Sequence, residues 1–126
     1  MDWQDGALAA AGVIGSGVAA VHGVLVQRLL VRPIAALSGE LKLPSPVLRL
    51  VPVLLHFSTL CWFAGGLALI AASLWGAGEA RLTICLFVGG FYLFGAIGNF
   101  WATRGRHPGW MLMALALALI AAGAAG

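Results

Sequence analysis

Between Arg81 and Arg104 the chain reads LTICLFVGGFYLFGAIGNFWAT, residues 82–103, and this stretch carries no charge. A helix needs ~20 apolar residues to cross the hydrocarbon core of a bilayer. A spanning strand would need only ~9–11 residues of alternating character, and no such alternation is present. The stretch therefore predicts a transmembrane helix, which satisfies every backbone polar group internally, as lipid requires.

Three more windows behave the same way. Residues 6–27, 50–78 and 108–126 contain no Asp, Glu, Lys or Arg. All seven basic and all four acidic side chains lie outside the four windows. Only 9% of the chain is charged and 62% is hydrophobic, whereas a soluble domain carries about 25% charge. A water-facing exterior cannot be built from this composition. The expectation is an all-α integral membrane four-helix up-down bundle, forming one transmembrane domain over residues 1–126. Its helices should span about 7–31, 47–75, 81–103 and 109–124, with cytoplasmic connections at 32–46 and 104–108.

The basic residues set the orientation. Arg28, Arg32, Lys42 and Arg49 flank or lie in the first connection, and Arg104 and Arg106 lie in the third. Only Arg81 lies on the opposite side, with Asp2, Asp5 and Glu79. The Lys/Arg-rich side is expected to be cytoplasmic, so both termini face outward. Asp2 and Asp5 also argue against a signal peptide, whose N-region is basic. The net charge of +3 is a topology signal. Nucleic acid is excluded as a partner, because no basic, aromatic-laced polar surface exists to bind it. Cys61 falls ~18 Å from Arg49 and Cys85 ~28 Å from Arg104, the basic residues at the cytoplasmic ends of their helices. Two cysteines at different depths read as small buried apolar residues, not a disulfide.

Local signals punctuate the helices. Ala7, Ala11, Gly15, Ala19 and Gly23 form a small-residue ladder that admits a close helix neighbour, either within the bundle or at a dimer seam. Ala114, Ala118 and Ala122 repeat the spacing in helix 4. Pro33 is expected to end or bend helix 1, and Ile34 to Leu43 reads as a short interfacial helix. Ser45 is the expected N-cap of helix 2 and Pro46 its first residue. Pro52 is placed to kink that helix, and Gly76-Ala77-Gly78 to close it. Phe87, Phe91, Phe94 and Trp101 share one face of helix 3, read as lipid-facing or packing aromatics. Pro108 suits the first turn of helix 4 and Trp110 an interfacial belt.

Polar groups at membrane depth usually face the bundle interior. His22, His56 and Asn99 fall ~9, ~10 and ~7–8 Å from the cytoplasmic edge at 1.5 Å per residue. Three helices thus bring polar side chains to one level. Tyr92, Ser58 and Thr59 extend the candidate ligand-binding set, and Gln27, Arg28, Arg49 and His107 rim it. Three readings of the layer stand. It glues helices together, binds a small solute or ion, or clasps a haem iron between two imidazoles. No metal site is expected, since zinc would want more ligands. No spanning window holds a carboxylate, and no phosphate loop or nucleophile motif appears. The expected role is therefore that of a structural or accessory membrane subunit. It would be homo-oligomeric or part of a larger membrane assembly, and an enzyme is unsupported.

The run His22-Gly-Val-Leu-Val-Gln27-Arg28, with Pro33, Arg49 and His56, resembles an uncharacterised family of small bacterial four-helix inner-membrane proteins. Members tend to place a His late in helix 1 with a Gly-Glu pair shortly after, and a second His early in helix 2, often after Trp. Here Gln27 stands where the acidic residue would be, and Leu55 precedes His56. The resemblance covers the first half of the chain. It implies a bacterial inner-membrane location and no particular activity. Small multidrug exporters share the size but rely on a Glu in their first helix. Fluoride channels carry a glycine-rich Arg motif near the N-terminus. This chain has neither.

Overall fold

The computed structural model describes residues 2–124, and it is all-helical. Four helices follow one another: α1 (Trp3–Ala36), α2 (Ser45–Trp75), α3 (Gly78–Thr103) and α4 (Gly109–Gly123). The first three are each long and apolar enough to cross a membrane. The fourth is apolar but has 15 residues, about 22 Å of helix. Large apolar side chains cover the outside. Phe94 is 79% exposed and Trp101 81%, so the aromatic face of α3 points outward. An exterior of this kind, with three helices of spanning length, is that of a membrane protein.

The N-terminus of α1 is built by two aspartates. Asp2 Oδ1 accepts from the Asp5 N–H at 2.8 Å, and the Asp2 N–H donates to Asp5 Oδ2 at 2.9 Å. This reciprocal cap starts the helix at Trp3, four residues before the expected Ala7. At the other end the helix runs through Pro33 to Ala36, where the sequence predicted a stop near Val31. Residues Gln27–Val31 form a π turn, in which the Arg32 N–H reaches the Gln27 carbonyl. Pro33 then falls in the first turn of the α-helical segment Arg32–Ala36, where its missing N–H is tolerated. The expected interfacial helix over Ile34–Leu43 is absent, and turns follow Ala36 instead. The cap of α2 is Pro44 rather than Ser45, and Pro52 lies inside a continuous helix. Gly78, at φ +54°, opens α3 three residues earlier than expected. At the other end of α3, Arg104 and Gly105 take φ values of 52° and 75°. The Gly105 N–H returns to the Phe100 carbonyl at 2.9 Å, which closes the helix.

Neighbouring helices run antiparallel, as their contact pairs show. Gly12 meets Gly66 and Gly23 meets Thr59 between α1 and α2. Gly65 meets Val88 and Trp62 meets Gly95 between α2 and α3. Gly89 meets Ile120 between α3 and α4, and Leu8 meets Gly123 between α1 and α4. Glycine is required at the tightest of these crossings. A Cβ on Gly12 would lie 2.5 Å from the Gly66 carbonyl oxygen and 2.7 Å from Ile70 Cγ1. Gly15 leaves the space that the Tyr92 ring occupies. Tyr92, Leu8, Leu69 and Met113 are the largest fully buried side chains. The α1 ladder is therefore used inside the chain, not as a seam: Ala7, Ala11, Gly15 and Ala19 are buried and Gly23 half-buried. Ala114 and Ala118 face outward. Both cysteines are free.

A buried ion pair ties three helices at the capped end. Arg81, 3% exposed, donates from Nη1 to Asp5 Oδ1 at 2.7 Å and from Nε to the Gly123 carbonyl at 3.0 Å. The base that stood alone in the charge count is thus neutralised by the capping aspartate.

The glycine crossings lead to a direct comparison. Gly12→Ala should lower stability by about 1–3 kcal/mol, the range for overpacking a tight core. Gly90, which has open space around it, should tolerate Ala or gain up to ~1 kcal/mol of helix propensity. Unfolding midpoints in detergent check this, and equal midpoints for the two variants would refute the packing account.

Candidate functional site

The close approach at Gly23 brings α2 within reach of His22. A Cβ on Gly23 would sit 2.9 Å from Thr59 Cγ2. His22 Nε2 lies 3.2 Å from Ser58 Oγ. The single Ser58 hydroxyl hydrogen is engaged by the Leu55 carbonyl at 3.1 Å. Ser58 Oγ therefore accepts, and the His22 Nε2–H donates. A neutral imidazole protonated there leaves Nδ1 as an acceptor, and it has no hydrogen bond among the described residues. The ring also lies against Trp62, with centroids 4.5 Å apart.

His56 forms a separate unit. Its Nε2–H donates to Gln27 Oε1 at 2.9 Å, on the first residue of the π turn. The level expected for His22, His56 and Asn99 thus contains two α1–α2 links, and only part of it faces open space.

That space is a cavity of about 400 Å³ between α1, α3 and α4. Val13, Ile14, Val18, Leu25, Leu112 and Met113 give it an apolar body. His22, Asn99, Thr103 and His107 form a polar end, and Trp62 reaches in from α2. No Asp, Glu, Lys or Arg lines it. Asn99 Oδ1 is buried without a hydrogen-bond partner. The Asn99 carbonyl accepts from Thr103 Oγ1 at 2.7 Å. Thr103 Oγ1 in turn accepts from the His107 N–H at 3.4 Å. His107 Nδ1 accepts from the Gly109 N–H at 3.1 Å, so a neutral His107 carries its proton on Nε2. Gly109 keeps this corner open, since a Cβ there would lie 2.9 Å from His107 Nδ1. Trp110 braces the turn, donating from Nε1 to the Gly105 carbonyl at 3.1 Å.

Of the residues singled out in the sequence, His22, Asn99 and His107 share the cavity. Ser58 supports it through His22. His56 and Gln27 pair outside its lining. Tyr92 lies deeper, fully buried, and donates to the Trp62 carbonyl at 3.2 Å. Thr59 packs on Gly23, with its hydroxyl buried and unpartnered. Arg28 is exposed. Arg49 lines a second cavity of about 290 Å³ with Ser38 and Ser45. Only one of the two spanning imidazoles faces the main cavity, and both Nε2 atoms are already hydrogen-bonded, so the arrangement offers no bis-imidazole clasp for haem. Among the described residues no three His, Cys, Asp or Glu side chains gather as a metal site.

Thr103, Trp62 and Gly17 also line the cavity and were not singled out in the sequence. Thr103 had a signal, lying one helical turn after Asn99. Trp62 had none, because its inward direction depends on the empty Cβ position of Gly95.

Compared with known proteins, the chain matches no family model, and neither a curated protein nor a solved structure matches it significantly.

The His22–Ser58 geometry makes a spectroscopic prediction. The imidazole ¹⁵N spectrum should show neutral His22 as the Nε2–H tautomer. Ser58→Ala should shift it toward a tautomer mixture while leaving His56 unchanged. A wild-type signal from the Nδ1–H form would contradict the assignment.

Proposed function

We propose that this chain is a polytopic protein of a bacterial inner membrane, folded as an up-down four-helix bundle, that binds a small, largely apolar molecule in the cavity between α1, α3 and α4. The unpartnered, buried Asn99 Oδ1 at the polar end of that cavity is the observation that carries the reading. Buried polar atoms are almost always satisfied; Asn99 lines the cavity, and a turn of its amide presents the unsatisfied oxygen to a ligand. The volume of about 400 Å³ falls within the ~300–1,000 Å³ of small-molecule sites. Apolar walls with a few convergent polar groups are the usual composition of such sites. The reading develops the solute-binding alternative drawn from the sequence, with His22 and Asn99 kept and His56 moved to a supporting role.

Binding is tested with the full chain in nanodiscs, using 4-propylphenol as probe and protein-free nanodiscs as the blank. Gly17 lies on the cavity wall, and a Cβ there would meet nothing within 4 Å. Gly17→Phe should therefore fill the space without moving a helix. Saturable binding should disappear in this variant while its unfolding midpoint stays at the wild-type value. Undiminished binding would place the probe elsewhere.

In this reading the Lys/Arg-rich ends face the cytoplasm, and the Asp5–Arg81 pair lies at the periplasmic end. Alkaline phosphatase fused after the C-terminus should be active in cells, and the same enzyme inserted at Gly39 inactive. The reverse pattern overturns the orientation.

A further inference from the structure

We infer that the occupant of this cavity is a neutral apolar molecule bearing a hydroxyl group, admitted sideways between α1 and α4. The inference rests on the binding reading above and specifies its ligand.

Neutrality follows from the wall. No charged side chain lines the cavity, and an ion in an apolar enclosure without a counter-charge is strongly disfavoured. The hydroxyl follows from the polar end. His22 Nδ1 is an acceptor, because Nε2–H is held by Ser58. His107 presents a donor at Nε2, because Nδ1 accepts from Gly109. Asn99 adds a primary amide whose Oδ1 is unpaired. A hydroxyl donates and accepts at once, so it suits this mixed set. An ether or ketone would leave the acceptors bare, and a site built for a polar group rejects analogues that lack it.

The route follows from exposure. Val13, Gly17 and Val21 recur every four residues on one face of α1. They line the cavity, yet Val13 is 63% and Val21 58% exposed. Across from them, Leu112 of α4 is also both lining and exposed, at 44%. The mouth therefore opens on the apolar outer face, where a bilayer would concentrate apolar solutes. Farther along the same pair of helices, Leu8 packs directly on Gly123, and the opening ends.

Three probes test this on the unmodified chain in nanodiscs: 4-propylphenol, its methyl ether 4-propylanisole, and 4-dodecylphenol. The phenol should bind about tenfold or more tightly than the ether after correction for lipid partition, a ratio set by one hydrogen bond to a buried acceptor. Asn99→Leu and His22→Phe should each shrink that ratio while ether binding persists. With its hydroxyl at the polar end, extended 4-dodecylphenol is longer than the ~14 Å between His22 and Val13 along α1, so its tail reaches out through the mouth, and it should still bind and compete with 4-propylphenol. Equal affinities for phenol and ether overturn the hydroxyl assignment and leave the cavity reading intact. So does a phenol preference indifferent to both substitutions. Exclusion of the long-tailed probe overturns sideways entry. If none of the three binds, the binding reading itself fails.

Discussion

The distance between α1 and α2 at Gly12 and Gly66 is the constraint on which the other contacts depend. With backbone against backbone at that point, the two helices stay close over the rest of their shared length. Van der Waals packing of this kind is the main attraction open to helices in an apolar solvent, where burial of apolar surface gives no advantage. The same closeness lets short side chains act across the gap. Ser58 reaches His22, and Gln27 reaches His56. A single bulky residue at Gly12 would move Ser58 away from His22 and so release the imidazole that borders the cavity.

The two ends of the structure are held in different ways. At the capped end Arg81 joins Asp5 to the Gly123 carbonyl, so α1, α3 and α4 meet at one guanidinium. Such a buried pair contributes little net stability over an apolar substitute, but loss of one partner leaves a charge without compensation. Among the described residues no ion pair joins α1 to α4 at the other end. The cavity lies there, bordered by neutral groups that hydrogen-bond within their own turn, from Asn99 through Thr103 to His107 and Gly109. The π turn at Gln27–Val31 lies just beyond His22 on α1 and supplies the amide that holds His56.

Much of the fold was legible in the sequence because it depends on composition over long windows. Four charge-free stretches define four helices whatever their neighbours are. Helix boundaries were less legible. Asp2 and Asp5 cap α1 earlier than hydropathy suggests, and Pro33, read as ending or bending the helix, is absorbed by a change of hydrogen-bond register. Both are local devices involving a few atoms, which hydropathy averages away.

The site divides along the same line. Rise per residue is a property of the helix itself, so depth could be counted from the sequence, and His22, His56 and Asn99 were expected at one level on that basis. Facing could not be counted. Which of the three borders open space depends on how each helix is rotated against its neighbours, and that rotation is set by contacts between residues distant in sequence: Gly23 on Thr59, Gly95 on Trp62, Gly15 on Tyr92. The stretch between Arg81 and Arg104 by itself determined that α3 is an apolar helix of spanning length. Only the tertiary structure decided that Arg81 at one end meets Asp5, and that Asn99 near the other lines a cavity with its buried Oδ1 unpaired, because pairing and burial are properties of several helices packed together.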